Sequence, residues 1–365
     1  MSRALGLLAL LPVLAACNGE RPAEATSSPM ITGASSLGSS STSGDSGDDS
    51  TSTSESGEGS QSASTFPTPL PDMPSFDTEG LGPGCTKIDF LFVLENGPMS
   101  FVYPVEEFQK RSLEAIEGFT AEFAALADFD IHVLVTKGDP SWAGLASTCA
   151  SQCQDNGTCA TVPDFPCWVG EADVEPCDGA LGAGVVFPVG AGATNDRCEL
   201  TGGRRYLAGT DPDFAAGYEC IARVGNSGDP DLLRPAQGMV AAVSPQLNGP
   251  GGCNAGFLRD DALLVVVLFH ARPDVLSAGT PDGWAESLIA AKHGDKDAVV
   301  MLGVLSDAHH ADGLCAGAGS VNLEKLVMKF PYRVLGSICA ESFVPFFSDA
   351  VDMVVDACTE YHPPA

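Results

Sequence analysis

The stretch Asp307-Ala308-His309-His310-Ala311-Asp312 places two carboxylates and two imidazoles within six residues. Those groups are suited to holding Zn²⁺ or to moving protons near neutral pH. Adjacent side chains diverge, however, and the stretch reads more simply as a polar surface loop. His270, at the end of an apolar run, is a second candidate base. No serine or cysteine stands in a nucleophile elbow of the GxSxG type, so His270 reads as a partly buried structural histidine. Asp260-Asp261 precedes the same run and reads as the end of a loop, not as a catalytic carboxylate pair. Gly182-Ala183-Gly184 and Gly190-Ala191-Gly192 lack the strand, loop and helix context of a phosphate cradle, and no cofactor is expected. A hydrolytic or metal-dependent envelope enzyme built on His270 and the His309/His310 region remains the alternative to a non-enzymatic reading.

Thiols are the other reactive groups. The chain has 365 residues and 13 cysteines, a heavy count for a reducing compartment. Setting Cys17 aside leaves an even set: Cys85, Cys149, Cys153, Cys159, Cys167, Cys177, Cys198, Cys220, Cys253, Cys315, Cys339 and Cys358. Five of these crowd between Cys149 and Cys177, but no CxxC pair or nearby histidine completes a zinc site. Disulfides in an exported protein are therefore expected, with the connectivity left open.

The ends of the chain agree with export. Arg3 precedes an apolar run from Ala4 to Ala16, shorter than the roughly 20 residues needed to span a bilayer. It reads as a signal peptide over residues 1–16. From Cys17 to Gly84 the composition turns to Ser, Thr, Gly and scattered acids, then to Pro67, Pro69, Pro71 and Pro74. Such a segment buries too little apolar surface to offset the entropy of ordering it, so residues 17–84 read as a flexible tether.

Charge excludes two classes of partner. With 48 acidic and 18 basic side chains the formal charge is −30, which repels a phosphate backbone and an anionic lipid surface alike. Nucleic acid is therefore not an expected partner. Residues 17–84 hold ten acids and one base, a net of −9, while the chain from Cys85 onward carries −22. The acidity belongs mainly to the folded part.

These groups must be positioned by a sheet. Ile88, Phe90, Leu91, Phe92, Val93 and Leu94 form a run that suits a strand covered on both faces. An amphipathic helix follows through Ile116, Phe119, Phe123 and Leu126, and Phe129, Ile131, Val133 and Val135 alternate into a second strand. The pattern resumes with a helix from about Leu232 to Val243, a strand from Ala262 to Phe269, a helix from about Trp284 to Lys292 and a strand from Val299 to Leu305. A short helix from Leu323 to Lys329, an edge strand from Tyr332 to Leu335 and a closing helix from Ser342 to Cys358 complete it. Alternating strands and helices predict an α/β domain over residues 85–358 with a doubly wound, mostly parallel sheet. Residues 137–217 read as a long disulfide-rich insertion without sustained periodicity, and 359–365 as a tail.

Two resemblances sharpen this reading. Leu14-Ala15-Ala16-Cys17 resembles the lipobox of bacterial lipoproteins, which implies cleavage before Cys17 and acylation of its thiol. Asn18, in place of an aspartate, then implies sorting to the outer membrane, where each buried CH₂ contributes about 0.8 kcal/mol to anchoring. The run from Lys87 to Ser100 resembles the opening strand and metal-site turn of von Willebrand factor type A domains. The strand ending Leu134-Val135-Thr136, the segment Cys220–Gly228, the strand after Asp260-Asp261 and Gly336-Ser337-Ile338-Cys339 follow the same order. The likeness is greatest to cysteine-rich type A lipoproteins of myxobacteria, predatory soil bacteria, and covers most of Lys87 to Cys358 outside the insertion.

The metal site implied by that resemblance is degenerate. Glu95 takes the place of the first aspartate, Gly97 and Met99 replace both serines, Asn226 falls near the threonine, and Ala271 stands at the last aspartate. Glycine offers no side-chain oxygen and methionine only a soft thioether, a poor set for a hard cation. No metal is expected at these positions. The sequence therefore predicts a lipid-anchored, non-enzymatic binding module of the cell envelope, whose partner is an unidentified protein or other envelope macromolecule.

Overall fold

A computed structural model describes residues 84–97, 105–140, 142, 174–190, 192–225, 228, 231–306 and 319–363. The long apolar runs become β1 (Lys87–Leu94), β2 (Asp130–Lys137), β4 (Leu263–His270) and β5 (Val299–Leu305), with β6 (Tyr332–Ser337) at one edge. The other edge is β3, only Leu207–Ala208. The six strands lie in the order β3-β2-β1-β4-β5-β6. All neighbours are parallel except β2 and β3, which pair antiparallel.

Helices cover both faces because side chains alternate along every strand. Phe90, Phe92, Val133, Val135, Val265 and Val267 point to one face and pack beneath α1 (Val105–Ala125), α2 (Phe214–Ala222) and α7 (Val344–Glu360). Leu91, Val93, Leu134, Leu264, Val266 and Leu268 point to the other, beneath α3 (Pro235–Ala242), α5 (Pro281–Ala291) and α6 (Val321–Val327). A short helix, α4 (Pro245–Asn248), follows α3. A strand buried on both sides must be apolar at successive positions, which is why these runs show no polar alternation. Aromatic rings lock the first face: Phe92 meets Phe119 edge-on at 4.9 Å between centroids, and Tyr218 at 5.3 Å.

Helix starts carry recognisable local causes. Pro281 occupies the first turn of α5 and Thr280 accepts from the Gly283 N–H. Helix α3 begins at Pro235, three residues later than its apolar pattern predicts. Its buried Ala236 N–H, which has no partner within the helix, is satisfied from a distant loop, by Asp274 Oδ2 at 2.9 Å.

The insertion differs from its sequence-based picture. It supplies the antiparallel edge strand β3, and its far end is already helix α2. Two of its cysteines reach out of it: Cys177 bonds Cys253 and Cys198 bonds Cys220. These bridges sew the insertion to the main domain, a connectivity the sequence left open. Cys85 bonds Cys358 across 273 residues, joining the start of β1 to the end of α7. Cys339 is also disulfide-bonded. Cys149, Cys153, Cys159, Cys167 and Cys315 lie outside the described residues, as do Cys17 and the signal and tether segments. Among the described residues no helix is long and apolar enough to cross a membrane.

Candidate functional site at the carboxyl ends of the strands

Strand order reverses between β1 and β4, and in open α/β sheets the crevice at such a point is where ligands sit. Glu95 and Asn96 leave β1 there, and His270, Ala271 and Arg272 leave β4. The backbone joins the two ends: the Glu95 N–H donates to Phe269 O at 3.0 Å.

Glu95 is 3% exposed. Its Oε2 accepts the backbone N–H groups of Ala271 at 2.9 Å and Arg272 at 3.1 Å. Its Oε1 lies 3.5 Å from Arg272 Nε and has no hydrogen bond. Two amide donors and a guanidinium therefore surround the carboxylate. His270 is buried beside it, Nδ1 at 3.6 Å from Glu95 Oε2, and its Nε2 has no hydrogen-bond partner. Its carbonyl accepts the Ser306 N–H at 3.0 Å, but no hydrogen bond joins its ring to a serine or cysteine side chain among the described residues. Asn96 is buried too, and its carbonyl accepts the Gly228 N–H at 2.6 Å. A Cβ at Gly228 would stand 2.6 Å from Asn96 Nδ2, so this approach requires glycine. Gly97 packs against Leu233.

The degenerate metal positions are thus placed unevenly. Glu95 and Ala271 meet through the Ala271 N–H, and Gly97 is beside them, whereas Met99 and Asn226 lie outside the described residues. His309 and His310 also lie outside them. Among the described residues no three His, Cys, Asp or Glu side chains converge as a metal-binding group. Asp260 and Asp261 sit at the opposite end of the sheet, paired with His293 at 2.9 Å and Lys87 at 2.6 Å. Gly182 and Gly184 serve structure: Asn254 donates to Gly182 O and accepts the Gly184 N–H, both at 2.9 Å.

The insertion adds a buried ionic group that sequence reasoning missed. Arg205 donates to Gly184 O at 2.7 Å and to Asp178 at 2.6 Å, and Arg197 reaches the same carboxylate at 2.8 Å. Burial alone raises the Asp178 carboxyl, but hydrogen bonds from Arg205 and Arg197 outweigh it and hold it below the usual range. Nearby, burial pushes the Lys137 ammonium down to about 8 against the pull of Asp139 and Asp178. Arg272 was missed as well. The signal was present in an arginine two residues beyond an apolar strand, facing the acid that ends its neighbour.

No family model matches the chain, and no curated protein does. Among solved structures it is similar to proximal thread matrix protein 1 of the mussel byssus, in a second crystal form, at 11% identity and a TM-score of 0.35. That match covers 74% of this chain and 49% of the other, so the chain spans about half the length of the structure it matches. A likeness that low transfers neither fold nor function.

Proposed function

We propose that the protein is an exported lipoprotein, acylated at Cys17, that displays a von Willebrand factor type A-like domain on the acidic tether 17–84. The domain acts as a non-enzymatic module of the outer membrane. Its strand-end loops and the 137–217 insertion engage a protein or other envelope macromolecule without a divalent metal. The observation that carries this reading is the environment of Glu95. A carboxylate that already accepts two backbone N–H groups and faces a guanidinium has its charge balanced by the chain itself. A cation there would have to displace Arg272 and would find glycine at position 97.

Calorimetry with Mg²⁺ and Mn²⁺ on the purified chain tests the metal-free reading. The expected result is no binding in the low-millimolar range. Tighter binding that Glu95→Ala abolishes would overturn it. Capture of a partner from intact envelopes is expected to survive chelation and to be lost on deleting residues 137–217. A Cys17→Ser chain is expected in the soluble fraction instead of the membrane.

A further inference from the structure

A cavity of about 120 Å³ opens between α1, α2 and the sheet, with Glu95 at the strand end and Gly192 of the insertion in its lining. Its wall is largely aromatic and aliphatic: Phe92, Leu94 and Phe269 from the strands, Ile116 and Phe119 from α1, and Tyr218 from α2. Cavities of about 150 Å³ with such linings hold a benzene ring. The volume therefore suits a single six-membered ring with a short substituent at the mouth.

Polar groups interrupt this wall without being satisfied. Tyr218 is 1% exposed, and its hydroxyl makes no hydrogen bond among the described residues. Arg223, at the rim, has a buried Nε that also makes none. Its Nη1 stands 3.5 Å from Glu219, a loose and exposed pair. Glu95 lines the cavity too: its Oε2 accepts the Ala271 and Arg272 N–H groups, and its Oε1, without a hydrogen bond, faces the Arg272 guanidinium at 3.5 Å. A buried polar group without a partner costs about 1–3 kcal/mol, and such exceptions mark a missing ligand or water. Two of the groups here are donors, a guanidinium N–H and a phenol O–H. What they lack is an acceptor, and a carboxylate is the strongest acceptor for a guanidinium.

We propose that this cavity binds a small aromatic monocarboxylate, with the ring among Phe92, Phe119, Tyr218 and Phe269 and the carboxylate at the mouth against Arg223. The cavity borders the region assigned to the macromolecular partner, but its small-molecule probes need no such partner to bind. Its probes are phenylacetate, its cationic counterpart phenethylamine, and toluene, each titrated into the full-length purified chain by calorimetry and ligand-observed NMR. Phenylacetate is expected to bind at least tenfold tighter than phenethylamine. Arg223→Gln changes a partly exposed side chain and leaves the apolar wall intact. It is expected to weaken phenylacetate roughly tenfold or more while toluene binding is unchanged. Tyr218→Phe removes only an oxygen, so it is expected to leave the empty protein at least as stable and yet weaken phenylacetate several-fold. Phenylacetate affinity retained in either variant, equal or tighter binding of phenethylamine, or no binding of phenylacetate at all would overturn the proposal.

Discussion

At the amino ends of the strands Asp89 is wholly enclosed, and Arg259 completes it: the backbone N–H donates to Oδ2 at 2.7 Å and Nε to Oδ1 at 2.8 Å. The same guanidinium reaches Ile88 O and Asp130 O, and Lys292 holds Arg259 O at 2.7 Å. At the carboxyl ends Glu95 is as deeply buried, but Glu95 Oε1, Asn96 Oδ1 and His270 Nε2 have no hydrogen bond. Both ends hold charge in the interior. One is closed by the chain, and the other leaves buried atoms unpaired. Because burying a polar atom unpaired lowers stability, a folded protein concentrates such atoms where an outside group completes them. The amino end is thus closed by the chain itself, and the carboxyl end is the one where we place the proposed function.

The largest expected effect tests the closed end. Cys85–Cys358 ties the start of β1 to the end of α7, and a bridge spanning that much chain restricts the unfolded state by roughly 5 kcal/mol. Replacing both cysteines by serine is expected to lower the unfolding free energy by about that amount in a denaturant titration. Arg259→Ala comes next. It strands a buried carboxylate and two carbonyls, with an expected loss of about 3–5 kcal/mol. Glu95→Ala removes a carboxylate of similar burial but frees two backbone N–H groups and the partly exposed Arg272 guanidinium, which water can reach, with an expected loss of about 1–3 kcal/mol. Equal losses from these two variants would break the contrast between the ends.

Protonation sharpens the same contrast. Burial raises the Asp89 carboxyl from 3.8 to about 6, against the pull of Arg259 and Lys292. A folded-state value above the unfolded one contributes stability in full below pH 3.8 and loses it as pH rises through about 6. A shift of that size corresponds to roughly 3 kcal/mol. His132, 3.7 Å from Asp89, opposes this slope, since burial lowers its imidazole and favours the folded state at higher pH. Asp178 and Asp261 are held low, so their contributions fade only below pH 3.8. Subtracting the profile of Asp89→Asn from that of the parent is expected to isolate a fall in stability between pH 4 and pH 6. A flat difference would show that the carboxylate stays charged in the fold.

How much of this was legible follows from what each signal depends on. Strands β1, β4 and β5 were readable because burial on both faces forces a continuous apolar run, and β2 because Ile131, Val133 and Val135 alternate; all four appear nearly to the residue. Strand β3 was not, since two residues carry no period. Helix α2 hid among glycines and cysteines, and with it Tyr218. The even set of cysteines pointed to disulfides, but spacing cannot say that Cys177 and Cys198 pair outside the crowded stretch. Glu95 and Ala271 were singled out as remnants of a site. Their joining through a backbone N–H, and the part of Arg272, depend on how two strands end side by side, which no local pattern records.

The smallest expected effect decides whether charge or burial makes the amino end structural. Lys87 and Asp261 form an ion pair at 2.6 Å, shorter than any Arg259–Asp89 contact and on the same rim of the sheet. Their side chains, however, are 35% and 46% exposed. Water solvates both partners once the pair is broken, and salt screens it while it is intact, so exposed pairs contribute at most about 1 kcal/mol. Lys87→Ala is therefore expected to change stability by less than that, with the difference shrinking further at 1 M salt. A loss comparable to that of Arg259→Ala would mean that proximity of charge alone sets the cost. The unpaired buried atoms at the carboxyl end would then no longer distinguish it.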